Sequence, residues 1–169
     1  MYPGKHASDH PDQPAFIMAT SGETVTFAEY EARANRLAHL FGDLGLNRGD
    51  HVAQFMENNA RYLEVEGAAE RSGLLYTCIN SYLTAEELTY IVNDCQARVF
   101  VTSVEKRDVA LAAATACPDV ELFLMVGAAA DDGPFRPYEE MVARYPAEPI
   151  PDEQLGAAML YSSGTTGQP

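Results

Sequence analysis

Along most of this chain, short apolar runs of strand length alternate with longer stretches in which apolar residues return every three or four positions. Two short strands open the pattern, residues 15–19 (AFIMA) and 24–26, set around a turn at Ser21-Gly22. A helix is expected from Phe27. Thr26 can cap it, Glu29 stands at the capping-box position, and Phe27, Tyr30, Ala34, Leu37, Ala38, Phe41 and Leu44 share one face. Gly45 suits the left-handed residue that ends such a helix. The unit then repeats: residues 51–57 (HVAQFME) read as a strand, 60–72 as a helix and 74–79 (LLYTCI) as a strand. Thr84 and Glu87 form a second capping box, opening a helix that runs to about Cys95. Residues 98–102 and 121–126 read as strands, 105–116 and 137–144 as helices, and 155–161 (LGAAMLY) as a last, buried apolar strand.

This alternation predicts an α/β fold, a mostly parallel sheet flanked by helices and joined by right-handed crossovers. Residues 128–134 (AAADDGP) read as a surface loop, and 146–151 (PAEPIP) as a stiff extended connector. A length of 169 residues suits one domain with a real core, and 47% hydrophobic against 21% charged residues argues against disorder.

Charge narrows the partners. The formal charge is -14 with no grouped Lys or Arg, so no nucleic-acid partner is expected, because such binders cluster cations against phosphates. A phosphate site here would have to use backbone N–H groups, hydroxyls, a metal ion or cations placed elsewhere. Cys78, Cys95 and Cys117 are odd in number and lack CxxC spacing, which gives no support for zinc and points to reduced thiols. Cys95 falls on the apolar side of its helix with Leu88, Ile91 and Val92. The opening residues are polar and no apolar run is long enough to span a bilayer, so a cytoplasmic protein without a transmembrane segment is expected.

The residues that carry chemistry stand at the end: Ser162-Ser163-Gly164-Thr165-Thr166-Gly167-Gln168-Pro169 follows a strand directly. Gly164 and Gly167 permit backbone angles closed to other residues, so that successive N–H groups can converge on anionic oxygens. Ser162, Ser163, Thr165 and Thr166 add four hydroxyls able to donate to phosphate oxygens or to hold magnesium. Strand-end loops of open parallel sheets are also where such folds place ligands. The spacing matches neither the Walker A loop nor GxGxxG. A terminus normally lies in a solvated, unpaired stretch, so truncation within residues 161–169 is expected.

Tyr161 to Pro169, YSSGTTGQP, resembles the phosphate-binding signature of the adenylate-forming (AMP-binding) superfamily, in which a Lys and a Gly normally follow this Pro. Residues 25–46, 48–56 and 83–94 resemble the family's opening segments in order and spacing, and residues 70–95 are most similar to bacterial fatty-acyl-CoA synthetases. Cys78 departs from the Pro that many members carry before the Ile-Asn pair. The resemblance implies that residues 1–169 are an incomplete N-terminal portion of the large, AMP-binding domain of an acyl-CoA synthetase-like fold. It also implies a two-step ligase: a carboxylic acid, here a fatty acid, attacks the α-phosphorus of ATP, and CoA thiol then displaces AMP. Ser162, Ser163, Gly164, Thr165, Thr166 and Gly167 would bind the phosphates, with Ser162 also touching Mg2+. The family places its adenine contacts, metal-binding Glu, acyl pocket and catalytic Lys beyond residue 169. No catalytic residue is therefore expected here, the isolated chain is expected to be inactive, and its partners are ATP, the acid and the remainder of its own domain. A homodimer of the full-length form stays open, as do aryl or amino acids, a carrier-protein acceptor, and a stand-alone phosphate-binding or interaction module.

Other chemistry-bearing residues read as structural. His6, His10, His39 and His51 lack metal-like spacing. Glu86-Glu87 suits a helix start, and Asp131-Asp132 a solvated loop. Arg33, Arg36, Arg61 and Arg71 read as solvated helix faces, and Tyr62, Tyr76, Tyr82 and Tyr90 as packing residues.

Overall fold

The computed structural model describes residues 3–161. A short helix α1 (Gly4–Asp9), a hairpin of β1 (Pro14–Ile17) and β2 (Thr24–Thr26), and helix α2 (Phe27–Asp43) open the chain. Then follow β3 (His51–Phe55), α3 (Arg61–Arg71), β4 (Leu75–Cys78), α4 (Ala85–Asp94), β5 (Ala97–Ser103), α5 (Arg107–Ala114), β6 (Leu122–Val126), β7 (Phe135–Pro137), α6 (Tyr138–Ala143) and β8 (Ala157–Ala158).

Both expected capping boxes form. The Glu29 N–H donates to Thr26 Oγ1 at 3.2 Å while the Thr26 N–H donates to the Glu29 carboxylate at 2.9 Å. Thr84 and Glu87 repeat the exchange at 3.4 and 2.8 Å. The donated N–H holds each glutamate carboxyl below its ordinary range. Gly45 takes φ +74° just past α2, where the expected left-handed stop falls. Thr26→Ala should cost about 1 kcal/mol, read as a lower urea midpoint with an unchanged m-value.

Strands β3 to β8 form one sheet in the order β7-β6-β5-β3-β4-β8, and every adjacent pair is parallel. The hairpin β1-β2 stands apart as a small antiparallel ribbon. Alternation along β3 and β5 divides the core. Val52, Val99 and Val101 meet α2, α3 and α6 through Leu37, Phe41, Val65 and Tyr138. Ala53, Phe55 and Phe100 meet α4 and α5 through Leu88, Ile91, Val92, Ala110 and Ala113. Cys95 is buried in that second layer with its helix neighbours, as its spacing indicated. Phe41, Phe55 and Phe100 are fully buried, each contributing roughly 2–3 kcal/mol of transfer free energy.

Several elements differ from the sequence expectation. Residues 4–9 form a helical turn pair, where His6 stacks on Phe27 with ring centroids 5.3 Å apart. Strand β7 is an addition, held because Phe135 packs edge-on against Phe123 and Phe100 at 5.3 and 5.8 Å. The helix expected from 105 begins with a 3-10 turn, Val104–Lys106, before α5. The strand expected over 155–161 pairs for only two residues and lies exposed at the sheet edge, with Leu155 and Leu160 74% and 80% exposed. Arg71, read as solvated, is 0% exposed, and Tyr82, read as packing, is 89% exposed. Tyr90 is also exposed, while Tyr76 is buried as expected.

Candidate functional site

A parallel sheet aligns the carboxyl ends of its strands on one edge, and the loops leaving them are where ligands are held. Here the helix after β3 goes to one face, whereas those after β4 and β5 go to the other. The loops therefore part above β3. In that gap the Glu57 carboxylate accepts from Ser103 Oγ and, at 2.9 Å, from Asn59 Nδ2. Burial by itself would raise the Glu57 carboxyl, but the Ser103 and Asn59 donors outweigh it and hold the group below its ordinary range. An ionised carboxylate is thus fixed at the parting of the loops. Sequence reading missed it; the signal was Glu57 two residues past one central strand and Ser103 closing its neighbour.

Next to this gap a groove of about 530 Å³ runs between the loops that follow β4 and β5. Ser81 and Tyr82 form one wall, and Val104, Lys106 and Arg107 the other. The Lys106 ammonium sits 5.3 Å from the centroid of the Tyr82 ring, a cation–π contact that fixes an otherwise exposed aromatic. Glu105 and Asp108 also line the groove and Arg107 is paired with Asp132 and Asp108, so the feature that suits a planar, anionic ligand is the aromatic face with Lys106 beside it. A larger cavity of about 590 Å³ opens at the opposite, amino end of the sheet, between the end of α2 and the strap leading into β8. Its position below the strand starts is not where parallel sheets do chemistry, so the smaller groove is the better site.

Strand β8 runs parallel to β4, with Leu75 opposite Ala157 and Tyr76 opposite Ala158, and so heads toward the carboxyl edge. The Met159 N–H donates to Tyr76 O at 2.8 Å, extending the register one step. Past Tyr161 come the expected phosphate ligands Ser162, Ser163, Gly164, Thr165, Thr166 and Gly167, and the expected magnesium contact Ser162. All of them lie outside the described residues.

The other candidates separate clearly. All three cysteines are free thiols, and burial raises the pKa of each, Cys117 to about 11, so none is poised as a thiolate nucleophile. Among the described residues no group of three His, Cys, Asp or Glu is placed to hold a metal ion. No helix among them is long and apolar enough to cross a membrane. Glu64 is buried and takes Arg61 at 2.5 Å, Arg33 at 3.2 Å and the Tyr138 hydroxyl at 3.3 Å, joining α2, α3 and α6. Arg71 is more deeply set. Its guanidinium donates twice to Glu31, at 2.6 and 2.8 Å, and also reaches Asn35, the Gly67 carbonyl and Glu153.

Comparison with known proteins agrees with this architecture. The chain is 29% identical to the 3-methylmercaptopropionyl-CoA ligase of Ruegeria lacuscaerulensis, over 97% of its own length and 32% of that protein's. It is 29% identical to the medium-chain-fatty-acid–CoA ligase of Ectopseudomonas oleovorans, over 95% and 31%. It therefore spans about a third of the length of these curated relatives. Its fold is that of the corresponding part of an anthranilate CoA ligase crystallised with anthranoyl-AMP, with a TM-score of 0.85 and 19% identity over 98% of this chain and 31% of that one. The family model described as AMP-binding enzyme matches residues 4–169, from the first helix through the Gly-rich sequence at 162–169. On that match this chain belongs to the AMP-binding enzyme family.

Proposed function

We propose that this chain is the N-terminal, phosphate-binding part of an AMP-forming acid–thiol ligase that activates a fatty acid with ATP and passes the acyl group to CoA. The observation that carries this reading is the family match through residues 4–169, together with an edge strand, just before YSSGTTGQP in sequence, that heads toward the carboxyl side of a parallel sheet. In the first step the carboxylate of the acid attacks the α-phosphorus, forming acyl-AMP and releasing pyrophosphate. The backbone N–H groups around Gly164 and Gly167, with the hydroxyls of Ser162, Ser163, Thr165 and Thr166, would hold the β- and γ-phosphates and stabilise charge on the leaving group. In the second step the CoA thiolate attacks the acyl carbon and AMP leaves. Mg2+ would accompany ATP, with Ser162 as one hydroxyl contact.

The groove beside Tyr82 has the chemistry of an acceptor site, because the nucleotide end of CoA is a flat base carrying phosphates. The Tyr82 ring and Lys106 would meet that end while the thiol reaches the acyl-AMP. Tyr82→Ala and Lys106→Ala, made in the complete ligase, should each raise the KM for CoA about fivefold, the loss of roughly 1 kcal/mol, and leave the KM for ATP unchanged. Unchanged CoA kinetics in both variants would remove the groove from the acceptor site.

The remainder of the same domain is the proposed partner for the outer edge of β8, whose exposed Leu155 and Leu160 suit a further strand and its side chains. Accordingly the 169 residues by themselves should neither adenylate a fatty acid nor form a thioester. A pyrophosphate-release assay over a panel of fatty acids checks this, with no signal above blank expected from the isolated chain and turnover expected from the complete ligase.

A further inference from the structure

The register of β8 poses a physical problem. A strand's register is normally fixed by burying one face, because a slip of one residue exposes every buried side chain. Strand β5 is fixed by burial on both faces, with Val99 and Val101 fitted into one layer and Phe100 into the other, all fully buried. Strand β8 has two paired residues, both exposed, between two exposed leucines. The two alanines hold nothing in place; just beyond them Met159 and Tyr161 are partly buried against the α4–α5 layer, and the Tyr161 hydroxyl donates to Asp94 at 2.5 Å. A slip of one residue would carry the chain about 3.3 Å along the sheet and turn it over.

The bonds that fix where it enters the sheet lie at its base. The Gln154 N–H donates to the Arg71 carbonyl at 2.8 Å, and the Gly156 N–H to the Glu70 carbonyl at 2.7 Å, so the strap enters the sheet by docking on the last turn of α3. The Arg71 side chain secures the same junction from within. It is wholly buried, it grips both carboxylate oxygens of Glu31 on α2, and it meets the Glu153 carboxylate on the strap at 3.4 Å. Asn35, also bound by Arg71, donates to the Ala147 carbonyl at 2.8 Å and ties the start of the strap to α2. One guanidinium thus links α2, α3 and the strap at the point where the strap becomes β8.

From this we infer that Arg71 is a positioning residue for the phosphate loop. It sets where the chain crosses the α3–β4 turn and so where β8 enters the sheet, while the Tyr161–Asp94 bond holds the far end just before Ser162. The inference rests on the proposed role of that loop in ATP binding. A planar, forked guanidinium is needed because the two oxygens of Glu31 are engaged together while a second carboxylate, Glu153, is met on another element; an ammonium offers no such geometry.

The test uses the complete ligase and two substitutions of different severity. Arg71→Lys keeps the charge but loses the fork. Glu153→Lys, at a partly exposed position, sets a like charge against Arg71 without opening the core. Fatty-acid-dependent exchange of radiolabelled pyrophosphate into ATP is measured at varied ATP, with the KM for CoA and the melting temperature in parallel. Both variants should lower kcat/KM for ATP, Arg71→Lys by about a hundredfold and Glu153→Lys by about tenfold, since displacement by an ångström can cost that much. The KM for CoA should stay within about twofold of wild type, and Glu153→Lys should melt within about 2 °C of it. ATP kinetics equal to wild type in both variants, or ATP and CoA kinetics that worsen together, would overturn the inference and leave the ligase reading standing. Absence of exchange in the wild-type ligase would overturn both. If Arg71→Lys does not fold, Glu153→Lys decides.

Discussion

A single methyl group at Gly156 is expected to lift β8 from the sheet. A Cβ built there would lie 2.0 Å from the Leu74 carbonyl oxygen, 2.8 Å from the Leu74 nitrogen and 2.9 Å from the Ala69 carbonyl oxygen. All three are main-chain atoms, so no side-chain rotation can relieve the contact. The requirement is one of space, since Gly156 is not among the glycines held at positive φ. To accept Gly156→Ala the strand must retreat by more than an ångström. The hydrogen bonds from Gly156 to Glu70 and from Ala157 to Leu74 would then be stretched or lost. We expect a loss of about 3 kcal/mol, summing overpacking with two weakened backbone bonds. In the complete ligase kcat/KM for ATP should fall at least about a hundredfold. Gly42→Ala is the control: it lies in α2 with open space around its Cβ position, and should be neutral or stabilise by up to about 1 kcal/mol. Thermal melts and pyrophosphate exchange on both variants check the pair. A Gly156→Ala protein with wild-type stability and exchange would show that β8 is free to move without consequence.

The second large effect is expected in the loop itself. Removing the hydroxyls of Ser163 and Thr166 together should reduce kcat for adenylation by about a thousandfold, with little change in the KM for the fatty acid. Donors aimed at a leaving pyrophosphate act most strongly as its charge develops, and one such donor elsewhere is worth about a hundred- to a thousandfold. Single-turnover formation of acyl-AMP, followed by quench, reads the step directly. A matching rise in the KM for ATP with kcat intact would instead assign these hydroxyls to ground-state binding.

The fold was legible wherever local sequence carries its own physics. Thr26 with Glu29 and Thr84 with Glu87 announce helix starts within four residues, and both boxes form as written. The central strands were legible because their apolar runs are bounded by turns and buried on both faces. What escaped depends on distant partners. Arg71 was read as solvated because a charge on a helix usually is; its partners Glu31 and Glu153 lie 40 and 82 residues away, and no periodicity connects them. Strand β7 escaped because three residues ending in Pro137 carry no strand signal, and Phe135 earns its place by packing on Phe100 and Phe123. Tyr82 was misplaced for the converse reason: a lone aromatic reads as core, and only the loop geometry shows it standing over a groove beside Lys106. The candidate site divides in the same way. The proposed phosphate ligands come from a contiguous motif, while the groove and the Glu57–Ser103 pair needed three dimensions.

What ATP becomes is the most direct question to put to this protein. The complete ligase is incubated with ATP and a medium- or long-chain fatty acid, first without CoA and then with it, and the nucleotide products are resolved by chromatography. AMP and pyrophosphate formed in step with acyl-CoA, and absent without the acid, are the expected result. Release of ADP and inorganic phosphate, or no acid-dependent turnover across the panel, would contradict the assignment of Ser162 to Gly167 as the cradle of a departing pyrophosphate.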